Sequence, residues 1–212
     1  QQSSGASHGV VCEAKARTTL ASGGGQKGRS RSAASPFPGA PDRSHWHSNG
    51  QLQKKLFPVD QGSDEYTFVK DLFMQTMPSQ VCIDQIERVE NDAQHVAFAQ
   101  QKKAVAEESG MDEKDIVQLL FHGTSEQSIR DIVHSVAGGF EPLAAGTSTG
   151  AKWGDGSYFA RDASLSAGYT SELSSGNRQM LLNEVVVGLS TKGKKGTKAY
   201  PKVPGAGNES MR

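Results

Sequence analysis

Residues 116–124 read Ile116-Val117-Gln118-Leu119-Leu120-Phe121-His122-Gly123-Thr124. Ile116 to Phe121 is a compact apolar run of strand length, and it ends on an imidazole followed by a glycine. A histidine there is carried by rigid backbone where the chain enters a turn. The glycine beside it lets a ligand come close to the peptide N–H and C=O. Downstream, Ile129, Ile132 and Val133 mark a short amphipathic helix closed by Gly138-Gly139. Phe140 to Gly156 is a Gly-, Thr- and Ser-rich loop, longer than ordinary connections and so expected to be functional. Ser157 to Ala160 reads as a short strand, Asp162 as the cap of a helix carrying Leu165 and Tyr169, and Met180 to Val187 as a buried strand.

Upstream, Tyr66, Val69, Phe73 and Met77 recur at helical spacing until Pro78 stops the run. Val81 to Val89 is rich in β-branched residues and short enough for a strand. Asn91 with Gln94 three residues on starts a helix that continues through Glu108, and Gly110 ends it. Helices and strands mix without strict alternation, which predicts an α+β domain.

The chain has 212 residues, room for one domain and a tail. Hydrophobic residues make up 35%, diluted by 24 glycines. The dilution sits at the front: residues 1–50 hold nine Ser, eight Gly and three Pro against five large apolar residues. Such a composition predicts a disordered, basic Ser/Gly-rich linker over 1–53 and a folded domain over 54–212. Lys plus Arg and Asp plus Glu are 23 each, a net charge of zero. That balance argues against a protein built to neutralise nucleic-acid phosphates. The two cysteines, Cys12 and Cys82, are far apart and form no metal-ligand spacing. No apolar run approaches the roughly 20 residues that span a bilayer, and no charged-then-apolar leader opens the chain. The expected location is intracellular, cytoplasmic or nuclear, without membrane contact.

Several suggestive patterns carry nothing. Gly146 to Lys152 looks like a phosphate loop, but its spacing is short and no Ser or Thr follows Lys152. A Gly-x-Ser-x-Gly elbow is absent, so a serine hydrolase has no anchor. His45-Trp46-His47 has no further ligand nearby.

His122 keeps more informative company. Tyr158 lies in Gly154-Asp155-Gly156-Ser157-Tyr158-Phe159-Ala160, and Ser166-Ala167-Gly168-Tyr169 follows. In order and spacing these motifs resemble the catalytic domain of the poly(ADP-ribose) polymerase-like ADP-ribosyltransferases, particularly members that transfer single units. The resemblance covers about residues 54–200 and includes the entry run Ile86 to Asn91. It implies the ADP-ribosyltransferase fold of split mixed or antiparallel sheets with flanking helices. It further implies an enzyme that takes NAD⁺ as substrate, uses no metal, and transfers ADP-ribose to a protein side chain, its own included. By the same resemblance His122 and Tyr158 are the catalytic positions. His122, Gly123 and Thr124 bind NAD⁺ from one side, with His122 on the adenosine ribose and Gly123 on the nicotinamide carboxamide. Tyr158, Phe159, Ala160, Ser166 and Tyr169 complete the site, Ser166 hydrogen-bonding the carboxamide and Tyr169 stacking on the ring. A catalytically inactive domain of this fold, binding NAD⁺ or protein, is the alternative. The family's third site residue belongs to a late strand, which this sequence does not reach before Arg212; neither Glu184 nor Glu209 fits that motif. The run 180–187 is therefore expected to lack a partner strand and to present an apolar edge.

Overall fold

Local rules account for where the first helices begin and end. The computed structural model describes residues 56–135, 139–140 and 156–190, and the backbone of residues 9–16. The side-chain oxygen of Ser63 accepts the Tyr66 N–H and starts α1, Asp64–Met74. This helix stops short of the Met77 suggested by periodicity. A proline ring clashes with the carbonyl four residues back, and for Pro78 that residue is Met74. Asn91 caps α2, Asp92–Ser109, by accepting the Gln94 N–H, and Gly110 closes it in the left-handed conformation at φ 67°. Ser125 likewise starts α3, Glu126–His134, and a five-residue α4 covers Ala163–Ala167. The α4 helix ends before Tyr169, which lies in the turn beyond it, and Asp162 makes no side-chain capping bond.

Among the described residues five strands form one antiparallel sheet: β1 (Gly9–Ala16), β2 (Leu56–Pro58), β3 (Val81–Val89), β4 (Val117–Gly123) and β5 (Arg178–Val186), in the order β2-β3-β1-β5-β4. The α+β class holds. The alternation of β5 distributes its apolar run over two cores. Met180 and Leu182 pack with Val69, Phe73, Ile86 and Phe121, under α1. Leu181 packs with Val89, Ile129, Val133 and Phe140, under α3. Phe98 of α2 joins Ile116 and Val186 in a third cluster at one end.

Two polar devices tie these layers together. Arg88 of β3 donates from Nε to Glu65 Oε1 at 2.9 Å and from Nη1 to Glu90 Oε1 at 3.2 Å. The Glu65 hydrogen bond, opposed by burial, holds its guanidinium above the ordinary arginine range. Asn91 donates from Nδ2 to the carbonyls of Val133 and Ser135, at 3.0 and 2.9 Å. Gln94 adds a bond to Ser135 O at 3.2 Å. The start of α2 therefore satisfies the carbonyls that the end of α3 leaves open.

The structure departs from the sequence expectations at three places. Gly9–Ala16, which composition placed in the disordered linker, is the central strand, paired with β3 on one side and β5 on the other. The rest of 1–53, with His45-Trp46-His47, lies outside the described residues. Composition averaged over fifty residues hides one eight-residue run that can form a strand, and ladder bonds use backbone that every non-proline residue carries. It follows that β5 has no free edge, since β1 and β4 flank it. The expected apolar edge does not exist. Finally, β4 runs on through His122 and Gly123, which pair with Leu181 and Met180, so His122 sits inside the ladder rather than at the opening of a turn. The 157–160 segment contributes only an isolated bridge, Phe121 to Ala160.

Candidate active site

The site begins at the outer edge of β4. Phe121 exchanges both backbone bonds with Ala160: its N–H donates at 2.7 Å and its carbonyl accepts at 2.9 Å. Its polar groups therefore point away from β5. Gly123, two residues on, turns its N–H and C=O to the same outer side, where the bridge to Ala160 has ended. A glycine is required here for a second reason. A Cβ on Gly123 would stand 1.9 Å from the carbonyl oxygen of Ser166. Helix α4 thus rests directly on the strand. The Ser166 hydroxyl fixes that contact by donating to Phe121 O at 3.0 Å, with the residue 4% exposed.

His122 is held on its other side. Its Nδ1 lies 2.8 Å from the carbonyl oxygen of Tyr158. A carbonyl only accepts, so Nδ1 carries the proton and Nε2 is left as an acceptor. Burial lowers the pKa of this histidine below its ordinary value, with the bond to Tyr158 opposing the shift. The imidazole is therefore neutral at physiological pH. Its ring sits in an aromatic cage: Phe140 at 5.0 Å between centroids and Phe159 at 5.3 Å.

The exposed elements are tyrosines. Tyr158 is 40% exposed and Tyr169 54%, unusual exposure for large rings in a packed domain. Both are anchored through backbone to the site, Tyr158 by its carbonyl on His122 and Tyr169 by its N–H on Ser166 O at 3.0 Å. Thr124 follows Gly123 into the turn before α3, whose first N–H, that of Glu126, donates to Ser171 Oγ at 3.1 Å.

Eight sequence-chosen residues thus fall into distinct environments. His122, Gly123 and Thr124 are consecutive on β4 and its exit, and Tyr158, Phe159 and Ala160 run beside that strand. Ser166 is buried with its hydroxyl proton committed to Phe121. Phe159 packs into the core under α3. Glu184 lies on the opposite face of the sheet from His122, since it pairs with Leu119 while His122 pairs with Leu181. Burial raises its carboxyl above the usual range, against the pull of Lys102. The 141–155 loop, Trp153-Gly154-Asp155 and Glu209 lie outside the described residues. Sequence reading missed Phe140 as part of the site, and its only signal was a lone aromatic at the start of a polar loop.

A strand-edge glycine with outward-turned backbone groups, a half-buried neutral histidine and two exposed tyrosines thus meet at the β4 edge of an α+β frame. The sequence matches the poly(ADP-ribose) polymerase catalytic domain over residues 63–208, and the chain belongs to that family. Among curated relatives it is 34% identical over 138 residues to a probable poly [ADP-ribose] polymerase of Dictyostelium discoideum, covering 64% of this chain and 40% of the relative. It is 34% identical over 125 residues to the protein mono-ADP-ribosyltransferase PARP11 of Homo sapiens, covering 58% and 35%. Human PARP12, also named a protein mono-ADP-ribosyltransferase, is 35% identical over 135 residues, covering 64% and 18%. The chain thus spans less than half the length of these relatives. Among the described residues no helix is long and apolar enough to cross a membrane.

Proposed function

We propose that this domain cleaves NAD⁺ and transfers a single ADP-ribose unit to a protein side chain. The bond between the nicotinamide nitrogen and ribose C1′ breaks, and its electron pair leaves with nicotinamide, neutralising the pyridinium charge. The acceptor's lone pair forms the new bond at C1′, and the acceptor proton passes to solvent. Gly123 grips the carboxamide, its N–H donating to the amide oxygen and its C=O accepting from the amide nitrogen. Ser166 supports that grip, as the hydroxyl behind the strand. Tyr169 stacks on the cationic ring and Tyr158 lines the cleft, contacts that suit an electron-rich face and a positive heterocycle. His122 accepts a hydroxyl of the adenosine ribose at Nε2 and so fixes the bend of the dinucleotide. Thr124 and the backbone of Phe159 and Ala160 complete the walls. These roles are orientation and electrostatics rather than covalent catalysis. The observation that carries the reading is the outward-turned backbone pair of Gly123 beside the neutral His122. Transfer of one unit rests on the likeness to human PARP11 and PARP12, named protein mono-ADP-ribosyltransferases, and the acceptor is a protein, this chain included.

Labelling with a tagged NAD⁺ tests it. His122→Ala should lower the labelling rate by about 10²-fold, the scale of misoriented reactants. Labelling at the wild-type rate would remove the histidine from the mechanism. Tyr169→Ala should weaken a nicotinamide analogue with a free carboxamide by roughly 1–2 kcal/mol, as a partly desolvated cation–π contact is lost. Unchanged calorimetric affinity would take Tyr169 out of the site. Wild-type binding of NAD⁺ without any labelling would identify a non-catalytic binding module of the same fold.

A further inference from the structure

We propose that Phe140 is a positioning residue for the reaction: its ring, set edge-on against His122, holds the imidazole in the orientation that presents Nε2 to the NAD⁺ ribose. The proposal rests on the reading of His122 as a ribose acceptor and adds the element that makes it one.

Three rings meet at this point. Phe140 and His122 are nearly perpendicular, at 87° and 5.0 Å, while Phe159 is tilted at 49° and 5.3 Å from the imidazole. Phe140 and Phe159 also contact each other, at 5.0 Å and 63°. The imidazole is therefore bounded by two mutually supporting rings, with the Tyr158 carbonyl on its Nδ1 edge. Such edge-to-face contacts are geometrically selective. Rotation of the imidazole would break the Nδ1 bond and drive the ring into one of the phenyl groups.

Phe140 itself is anchored remotely. It is 7% exposed and packs with Ile129 and Val133 of α3. The preceding Gly139 has φ 92°, a conformation that favours glycine, and a Cβ there would stand 3.3 Å from Gln94 Nε2. Gln94 is in turn bonded to the end of α3 through Ser135 O. The junction of α2 and α3 thus delivers the phenyl ring to the histidine, far along the chain from either motif.

Among the described residues no charged group substitutes for this packing. Burial lowers the His122 pKa, and the bond to the Tyr158 carbonyl opposes that shift. From β5 it faces Leu181, and Leu120 is its same-face neighbour on β4. The charged groups of α3 are engaged elsewhere: Glu126 pairs with Arg130, and Asp131 accepts from Gln127 at 2.8 Å. His134, the remaining titratable group of α3, is exposed. The cover that Phe140 and Phe159 give the ring is part of the burial that lowers its pKa.

The test compares Phe140→Ala, Phe140→Leu and the control Val133→Ala, which trims the same core. In each, the His122 imidazole is titrated by proton NMR without ligand, and NAD⁺ affinity is measured by calorimetry at pH 5.5 and pH 8. Phe140→Ala should return His122 to an ordinary titration near pH 6.5, so that at pH 5.5 about nine-tenths of it is protonated and donates where an acceptor is needed. Its NAD⁺ affinity should fall about tenfold between pH 8 and pH 5.5, a larger fall than in the wild type. Phe140→Leu should restore most of the wild-type titration, because it returns apolar cover. Val133→Ala should lower the melting temperature without moving the titration. An unmoved titration in Phe140→Ala, or an equal shift in Val133→Ala, would overturn the proposal. Failure of the wild type to bind NAD⁺ would overturn the functional reading beneath it, whatever the titration shows.

Discussion

Gly123→Ala should abolish both NAD⁺ labelling and the native placement of α4. The added methyl would sit 1.9 Å from Ser166 O, well inside van der Waals contact, and the obstacle is backbone rather than a flexible side chain. Either α4 moves outward or β4 bends, and each change breaks the 3.0 Å bond from Ser166 Oγ to Phe121 O. Overpacking of this kind costs about 1–3 kcal/mol or more. For a chain of this length that corresponds to a fall in melting temperature of roughly 2–12 °C. Labelling should drop by at least about 10²-fold, because the carboxamide grip and the α4 wall are displaced together. Gly168→Ala is the matched control. Its Cβ would meet Leu165 O at 3.6 Å, an ordinary contact. Equal melting and labelling of the two variants would show that the contact between Gly123 and Ser166 is not what builds the site.

Val11→Pro should destabilise the whole sheet. Val11 lies mid-strand in β1, opposite Glu87 of β3 and Leu181 of β5. A proline there removes a backbone donor from a strand that has neighbours on both sides, a position prolines do not occupy. A loss of roughly 3 kcal/mol or more is expected, on the scale of proline placed where backbone cannot accommodate it. Leu181 is also the cross-strand partner of His122 on β4, so the disturbance should reach the site, and labelling should fall with stability. Deleting residues 1–16 should reproduce the loss, and a synthetic peptide of residues 9–16 should restore the cooperative melt. A melt of Val11→Pro that superimposes on the wild type would show that the sheet does not depend on this strand.

Much of the fold is legible residue by residue because the forces that set it are local. Ser63, Asn91 and Gly110 bound their helices through bonds and backbone conformations that reach three or four residues. Val81 to Val89 is apolar and β-branched enough to be a strand in most surroundings. The motif residues of the proposed site were legible for a different reason. His122, Gly123, Tyr158, Ser166 and Tyr169 recur in a fixed order and spacing, which identified the family without any geometry.

What remained hidden depends on contacts across long separations. Nothing in Gly9 to Ala16 announces a central strand, since its ladder bonds come from β3 and β5, 65 and more residues away. Ser166 could be assigned to the ligand from its motif, but only packing shows its hydroxyl donating to Phe121 and its carbonyl closing on Gly123. Phe140 sits in no motif, and its contact with His122 exists because the α2–α3 junction delivers it there. By itself, then, the sequence determined the local elements, the α+β class and the family of chemistry, all of which short-range physics or motif spacing specify. Tertiary structure alone decided which strand completes the sheet, which tautomer His122 adopts and which rings hold it, because burial and desolvation arise only when distant segments exclude water together.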